Sequence, residues 1–351
     1  MYDEHDKFEK KTREAKEIIK AELERYGAIA VAWSGGKDST TVLMLALEVL
    51  KETKGRLVVI HNDTLVENPV IRSHCDMFIE ELKEYASREG LNVEIHIAKP
   101  RENETFWYRV IVRGYPKPNF KFRWCQELLK IQPTKRLLKS LGITQIITGL
   151  REKESKARKR VAKKFKGKKR DEKIKDIAPI LDWTEEDVWE FLTSYKTSWT
   201  DLSRIFKIYR EASGECPIVA SSSKGVCGAR FGCWICTLAT DDSTMVNLSK
   251  IYPNLKPLVE FRRWFREFSD MPENRTGVNR YGEYVGGRVG SLTREATEEI
   301  FKRLIKLKEE TGLDVIKEWE IELIREELNK QKEVEPLKLT GGDDATRTRD
   351  N

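Results

Sequence analysis

The most constraining feature of this chain is a junction near its start. Ala28–Trp33 (AIAVAW) is an uninterrupted apolar run between Gly27 and Ser34, which suits a strand buried on both faces. Ser34, Gly35, Gly36, Lys37, Asp38 and Ser39 follow, and then the apolar helical run TTVLMLALEVL. A glycine pair between a strand and a helix lets successive backbone N–H groups turn toward one point. The positive end of the helix adds to them there. Ser34 and Ser39 supply hydroxyl donors and Lys37 a cation, while Asp38 can cap the helix or help hold Mg²⁺. An ordinary glycine turn needs none of those flanking groups, so the junction is expected to cradle phosphate. It is not the Walker A pattern, because GxxxxGK[ST] is absent.

The rest of the first half repeats the alternation. Helix is predicted over residues 8–26, with Phe8, Ala15, Ile18, Ile19 and Leu23 at helical spacing. Strands are predicted at 57–61, 92–97 and 145–148, with helices at 71–89 and 133–141 between them. Strands alternating with helices imply a doubly wound parallel α/β sheet, whose ligands lie beyond the strand carboxyl ends. Asn62, Asp63 and Thr64 end the second strand and should border a bound nucleotide. After Asp182 the alternation stops. Thr184 and Asp187 mark a helix start, a loop-rich stretch over 214–240 follows, and charged helices are predicted over 256–268 and 293–330. The expected organisation is an N-terminal helix (1–26), a nucleotide domain (27–190), a cysteine-bearing helical domain (191–330) and a tail (331–351). The same pattern places Trp183, Trp189 and Cys75 in core packing.

Charge and cysteine usage narrow the class. No apolar run approaches the roughly 20 residues that span a bilayer, and the first eleven residues, MYDEHDKFEKK, are too charged for a signal peptide. A cytoplasmic enzyme without membrane attachment is therefore expected, in which six Cys serve as metal ligands or reactive thiols rather than disulfides. Residues 151–170 carry twelve basic residues and two acidic ones, the composition of either a solvated loop or a polyanion site. Cys216, Cys227, Cys233 and Cys236 are spaced C-x10-C-x5-C-x2-C, enough thiolates to enclose a zinc ion or hold an iron–sulfur cluster. All four His lie in the first half of the sequence, which favours an all-Cys site without separating zinc from iron. Cys125 follows Arg123 and Trp124 and precedes a predicted helix. There a lowered pKa would suit a sulfur-carrying nucleophile, and a half-buried structural thiol is the alternative.

Several stretches resemble a known superfamily. Ser34–Ser39 is similar to the PP-loop, SGGxDS, of the ATP pyrophosphatases, and Gly149, Arg151 and Arg158 match the GxRxxES…R element of phosphoadenosine-phosphosulfate reductase relatives. Asp182-Trp183-Thr184 and Asp187-Val188-Trp189 match a further element. The segments DTLVENP (63–69) and GYP…FRWC (114–125), with the Cys-rich stretch, resemble the DndC-type sulfurtransferases of DNA phosphorothioation. That resemblance implies the adenine nucleotide alpha hydrolase fold, ATP and Mg²⁺, and a [4Fe–4S] cluster on the four spaced cysteines. It also implies ATP-dependent sulfuration of a DNA backbone phosphate, with Lys37, Asp38 and Cys125 in catalysis. Ser34, Gly35, Gly36, Lys37, Asp38, Ser39, Asp63, Thr64, Gly149, Arg151 and Arg158 would hold the nucleotide. DNA, a cysteine desulfurase and DndD- and DndE-like proteins are the implied partners. A reductase, a tRNA thiolase or a non-catalytic nucleotide- and DNA-binding subunit are the alternatives.

Overall fold

The computed structural model describes residues 2–152, 174–213, 232–238, 242–279, 281–287 and 289–339. Its centre is a five-stranded, all-parallel sheet in the order β3-β2-β1-β4-β5, formed by β1 (Ala28–Trp33), β2 (Arg56–Asn62), β3 (Val93–Ala98), β4 (Gln145–Ile147) and β5 (Lys175–Ile177). The order reverses between β1 and β4, so a crevice opens at the carboxyl end of β1, where the phosphate loop begins. Ile29, Ala30 and Val31 are fully buried, as the apolar run requires of a central strand. β5 escapes the sequence pattern. Its three residues, Lys-Asp-Ile, form an edge strand with one buried side chain, too short and too charged to read as a strand.

Helices cover both faces. On one face α1 (Tyr2–Tyr26), α2 (Lys37–Glu52), α3 (Pro69–Arg88), α7 (Glu185–Ser194) and α8 (Ser203–Ser213) pack on the sheet in one large core. α1 buries Phe8, Ala15, Ile19 and Leu23 as expected, but Ile18 points to water. Trp183 and Trp189 are core residues, the first in edge contact with Phe8. Thr184 and Asp187 form a reciprocal capping box at the start of α7, satisfying two of its orphan donors. Lys11 of α1 ties to the same Asp187 at 2.5 Å. The opposite face is covered by α6 (Gln132–Ser140), which packs Leu138 against Ala30, Val58, Ile60 and Ile146.

A third core lies off the end of the sheet. It joins α4 (Phe106–Ile111) and α5 (Trp124–Gln126) to α9 (Ser243–Ile251), α10 (Lys256–Phe268), α11 (Arg294–Thr311) and α12 (Glu318–Leu339). α5 runs through a π-helical turn, Glu127–Ile131, into α6, so one continuous coil links this core to the sheet. The long helix predicted over 293–330 is in fact two. Gly312 takes the left-handed conformation (φ 63°) at the end of α11, a position that favours glycine and stops the helix. Among the described residues, no helix is long and apolar enough to cross a membrane.

Candidate active site

The phosphate loop is fixed by contacts that only small residues permit. Gly35 adopts φ +74°, and a Cβ there would sit 2.4 Å from Cys75 Sγ, so the thiol forms the floor of the bend. Beside it His74 is buried. Burial, with Arg204 nearby, pushes its imidazole down to about 4, so the floor carries no charge of its own at neutral pH. Across the crevice, a Cβ on Gly149 would lie 2.6 Å from the Asp38 carbonyl carbon, and glycine lets the strand β4 exit press against the first turn of α2. Ser39 Oγ donates to Gly36 O at 2.9 Å and accepts from Ser34 N–H at 3.2 Å, which closes the loop on itself. The N-cap of α2 is Gly36, which offers no side chain to the first turn. The positive end of the helix therefore keeps an opening for an anion.

Two cations converge on one carboxylate. Arg151 Nε donates to Asp38 Oδ1 at 2.5 Å, and Lys37 Nζ donates to Asp38 Oδ2 at 3.2 Å. Glu185, from the first turn of α7, lies 3.6 Å from Lys37 Nζ. Tyr209 of α8 places its ring 5.1 Å from that ammonium and accepts the Lys37 backbone N–H through its hydroxyl. Burial works against the charge on Lys37, but Tyr209, Asp38 and Glu185 outweigh it and raise the pKa above the usual lysine value. Asp38 thus caps nothing. Both its oxygens hold cations in place, whereas the sequence left capping and Mg²⁺ binding as its two roles.

The end of β2 builds the second wall. Asp63 is buried and accepts from both terminal nitrogens of Arg72, at 2.9 and 3.2 Å, and from Leu65 N–H at 3.0 Å. Burial opposes its charge, yet Arg72 and the Leu65 amide hold the carboxyl below the usual aspartate range. Leu65 has φ +65°, the sole non-glycine residue at positive φ among the described residues, so the 63–68 loop stores backbone strain. Its far end pairs with the cysteine segment. Trp234 N–H donates to Val66 O at 3.0 Å, Asn68 N–H donates to Gly232 O at 3.2 Å, and Thr64 Oγ1 lies 3.6 Å from Cys233 Sγ. His61 Nδ1 meets Trp33 O at 3.2 Å and Nε2 lies 3.6 Å from Glu67. Burial lowers the His61 pKa, but Glu67 and the Trp33 carbonyl prevail and raise it.

Cys233 and Cys236 close a Cys-x-x-Cys turn in which Cys236 N–H donates to Cys233 O at 3.1 Å, and Arg262 Nε braces the turn through Cys236 O at 2.8 Å. Cys216, Cys227 and Arg158 lie outside the described residues, as does most of the basic stretch 151–170. Cys125 comes instead to the described pair. Burial, followed by Cys233 and Cys236, pushes its thiol up to about 12. That reverses the lowered pKa read from Arg123 and the helix start, because the Gln126 amide counts for less than burial beside two other thiols. A thiol trio has the donor chemistry of a zinc or iron–sulfur site. Among the described residues, however, no three His, Cys, Asp or Glu side chains are spaced to hold a metal ion.

The structure therefore gathers Ser34, Gly35, Gly36, Lys37, Asp38, Ser39, Gly149 and Arg151 around one crevice, with Asp63 and Thr64 on the neighbouring strand end. Sequence reading missed Tyr209, Glu185, Arg72 and the His61–Glu67 pair. Glu185 carried a weak signal, an acidic helix start beside Trp183. Tyr209 carried none, being one tyrosine in an ordinary amphipathic helix.

Residues 28–239 match the phosphoadenosine phosphosulfate reductase domain family, and the chain belongs to it. It is similar to the uncharacterized protein MJ0973 of Methanocaldococcus jannaschii, 29% identical over 263 residues, or 74% of this chain and 53% of that one. It is also similar to the uncharacterized protein MJ0066 of the same organism, 27% identical over 232 residues, or 65% of this chain and 39% of that one. The chain thus spans about half the length, or less, of these curated relatives. Among solved structures, the U34-tRNA thiolase NcsA from Methanococcus maripaludis with its [4Fe-4S] cluster superposes with a TM-score of 0.36 at 16% identity, over 74% of this chain and 80% of that one.

Proposed function

We propose that this chain is an ATP-dependent sulfurtransferase that exchanges a nonbridging oxygen of a DNA backbone phosphate for sulfur. One observation carries the reading: the loop that leaves β2 at the nucleotide crevice is the loop on which the Cys233 segment is hydrogen-bonded. Activation and sulfur chemistry thus share one wall. Phosphate oxygen is a poor leaving group, so it must first be made a good one. In the first step the DNA phosphate oxygen attacks the α-phosphorus of ATP, the bond to the bridging β-oxygen breaks and pyrophosphate departs. In the second, hydrosulfide, released from the persulfide of a cysteine desulfurase by a thiol reductant, attacks the activated DNA phosphorus, the bond to the AMP oxygen breaks, and AMP leaves a phosphorothioate.

The chain's own groups serve the first step. Lys37 and Arg151, preset by Asp38, face charge that grows on the departing pyrophosphate, and α2 adds its positive end. Preset cations need no rearrangement during the reaction, which is where such stabilisation is largest. Asp63 sits where a ribose or adenine would meet the end of β2. Mg²⁺ bound with the triphosphate would neutralise its oxygens. An iron–sulfur cluster, held by Cys233 and Cys236 together with Cys216 and Cys227, would supply a site for sulfur.

The test pairs two measurements. Pyrophosphate release from ATP by anaerobically purified protein, with cysteine desulfurase and DNA present, reports activation. Mass analysis of digested DNA and tRNA from cells carrying the protein reports the sulfur's destination. Phosphorothioate-linked dinucleotides are expected. Thiolated tRNA with unmodified DNA would overturn the DNA assignment and leave the sulfurtransferase, and no pyrophosphate under any condition would overturn both.

A further inference from the structure

Two loops beside the cysteine turn hold aromatic rings out in water. The segment 114–123 exposes Phe120 (68%) and Phe122 (45%), and the segment 275–292 exposes Tyr281 (71%) and Tyr284 (76%). Exposed rings of this size forgo a large burial gain, and clusters of them mark interaction sites. These are not slack loops. Phe122 continues an aromatic series through Tyr115 and Trp124 to Phe106 in the core, at centroid distances of 6.2, 5.3 and 5.2 Å. The second loop is braced by its own backbone bonds, with Val285 N–H donating to Gly277 O at 2.7 Å and Gly277 N–H to Val289 O at 3.0 Å. Asn279 Oδ1 accepts the N–H groups of Tyr281 and Glu283 and sets the tip.

The two loops are joined at their ends, and the first borders the thiols. Leu292 N–H donates to Gly114 O at 2.7 Å, so the loops are stitched together. Thr237, next to the Cys-x-x-Cys turn, donates its hydroxyl to Pro118 O at 2.7 Å, and Cys125 immediately follows the first loop. The charge is one-sided. Residues 114–123 hold three basic and no acidic residues and residues 275–292 three basic and one acidic; of these Lys117 pairs with Asp270 at 2.8 Å and Arg275 Nε is buried. Arg123 lies over the Phe120 ring at 5.1 Å, pairing cation and ring on the surface itself. Rings that take base faces, interleaved with cations that take phosphates, are what an unpaired nucleic-acid strand requires. A duplex, whose bases are already stacked, would use the charges and leave the rings idle.

We infer that the 114–123 and 275–292 loops are a stacking platform for an unpaired stretch of nucleic acid, delivered beside Cys125, Cys233 and Cys236. The inference rests on the sulfurtransferase reading and adds to it the state of the substrate: the strand is opened where it is modified.

Fluorescence anisotropy of the full chain tests it with three labelled probes: a single-stranded DNA 20-mer, the blunt duplex of the same sequence, and the single-stranded RNA. Phe120→Ala/Phe122→Ala and Tyr281→Ala/Tyr284→Ala change exposed residues and should leave the melting temperature and ATP binding unchanged. Each pair is expected to weaken single-strand binding by about tenfold or more, with little effect on the duplex and no change in the salt dependence. Equal single-strand affinity in wild type and both variants would overturn the platform. So would rings that prove to drive self-association, seen by sedimentation as loss of a dimer with oligonucleotide affinity unchanged. Ring-dependent binding in a protein that releases no pyrophosphate would sink the proposed activity and spare the platform. Ring-dependent preference for RNA would move the substrate from DNA to RNA on the same surface.

Discussion

The nucleotide crevice and the cysteine corner are built on opposite plans. In the crevice, residues 34–39 lie consecutively on one bend, and Gly149 and Arg151 arrive on the segment that leaves the adjacent strand β4. The corner assembles Cys125, Cys233, Cys236, Thr237 and Arg262 from segments that only the third core brings together. One is held by charge on a rigid sheet edge, the other by aromatic packing around Trp107, Trp124, Trp234 and Phe265. Damage should therefore look different in the two places: loss of chemistry without unfolding in the crevice, and pH-dependent loosening in the corner.

The largest effect is expected from Lys37→Ala. On the proposed reaction its ammonium would meet the departing pyrophosphate, so pyrophosphate release should fall by about 10²–10³-fold, the range for a single donor at a developing charge. The melting temperature should change little, because removing Lys37 leaves Asp38 with Arg151. A fall in activity of less than threefold would remove Lys37 from the charge-stabilising role. Gly35→Ala comes next and breaks the contrast on purpose. A methyl 2.4 Å from Cys75 Sγ, on a backbone at φ +74°, should destabilise the fold by about 2–3 kcal/mol, read as denaturant midpoint. Gly35→Ala/Cys75→Ala relieves the clash and keeps the strained φ, so about half the loss should return. Full recovery would assign the whole cost to the sulfur contact.

The corner's test is Glu320, on α12, whose Oε1 accepts from the Thr105 hydroxyl. Burial raises its pKa to about 7, against the Thr105 hydroxyl and two backbone amides. A raised carboxyl favours the protonated fold. Its contribution is complete below the unfolded pKa near 4.5 and is lost as pH climbs through about 7, a swing of about 3 kcal/mol. Glu320→Gln keeps the acceptor and removes the titration. It should flatten the fall in melting temperature between pH 5 and 8, matching wild type at the acid end and exceeding it at the basic end. A variant with the wild-type slope would place the pH sensitivity elsewhere.

The same contrast sets what could be read from the sequence. The crevice was legible because its chemistry is local: a buried strand, two glycines, and a lysine and an aspartate in series. Strands β1 to β4 were legible because apolar runs and helical periods alternate cleanly. β5 was not, since an edge strand of three residues has neither hydrophobic period nor length. The break at Gly312 was hidden inside a charged helical pattern that continues on both sides. Tyr209 and Cys125 could not be placed by spacing, because their neighbours come from folding rather than from sequence proximity. The direction of the Cys125 shift failed for the same reason: helix start and arginine are visible locally, whereas burial beside distant thiols is not.

Residues 63–68 have one end against the nucleotide crevice and the other paired to the cysteine turn, with a strained leucine between them. A ligand that moves either end works against the same backbone spring. Whatever free energy nucleotide occupancy adds to the grip at the sulfur end, sulfur occupancy must return to the nucleotide, by reciprocity of linked equilibria. On the proposed reaction the loop would so make each half-reaction a sensor of the other.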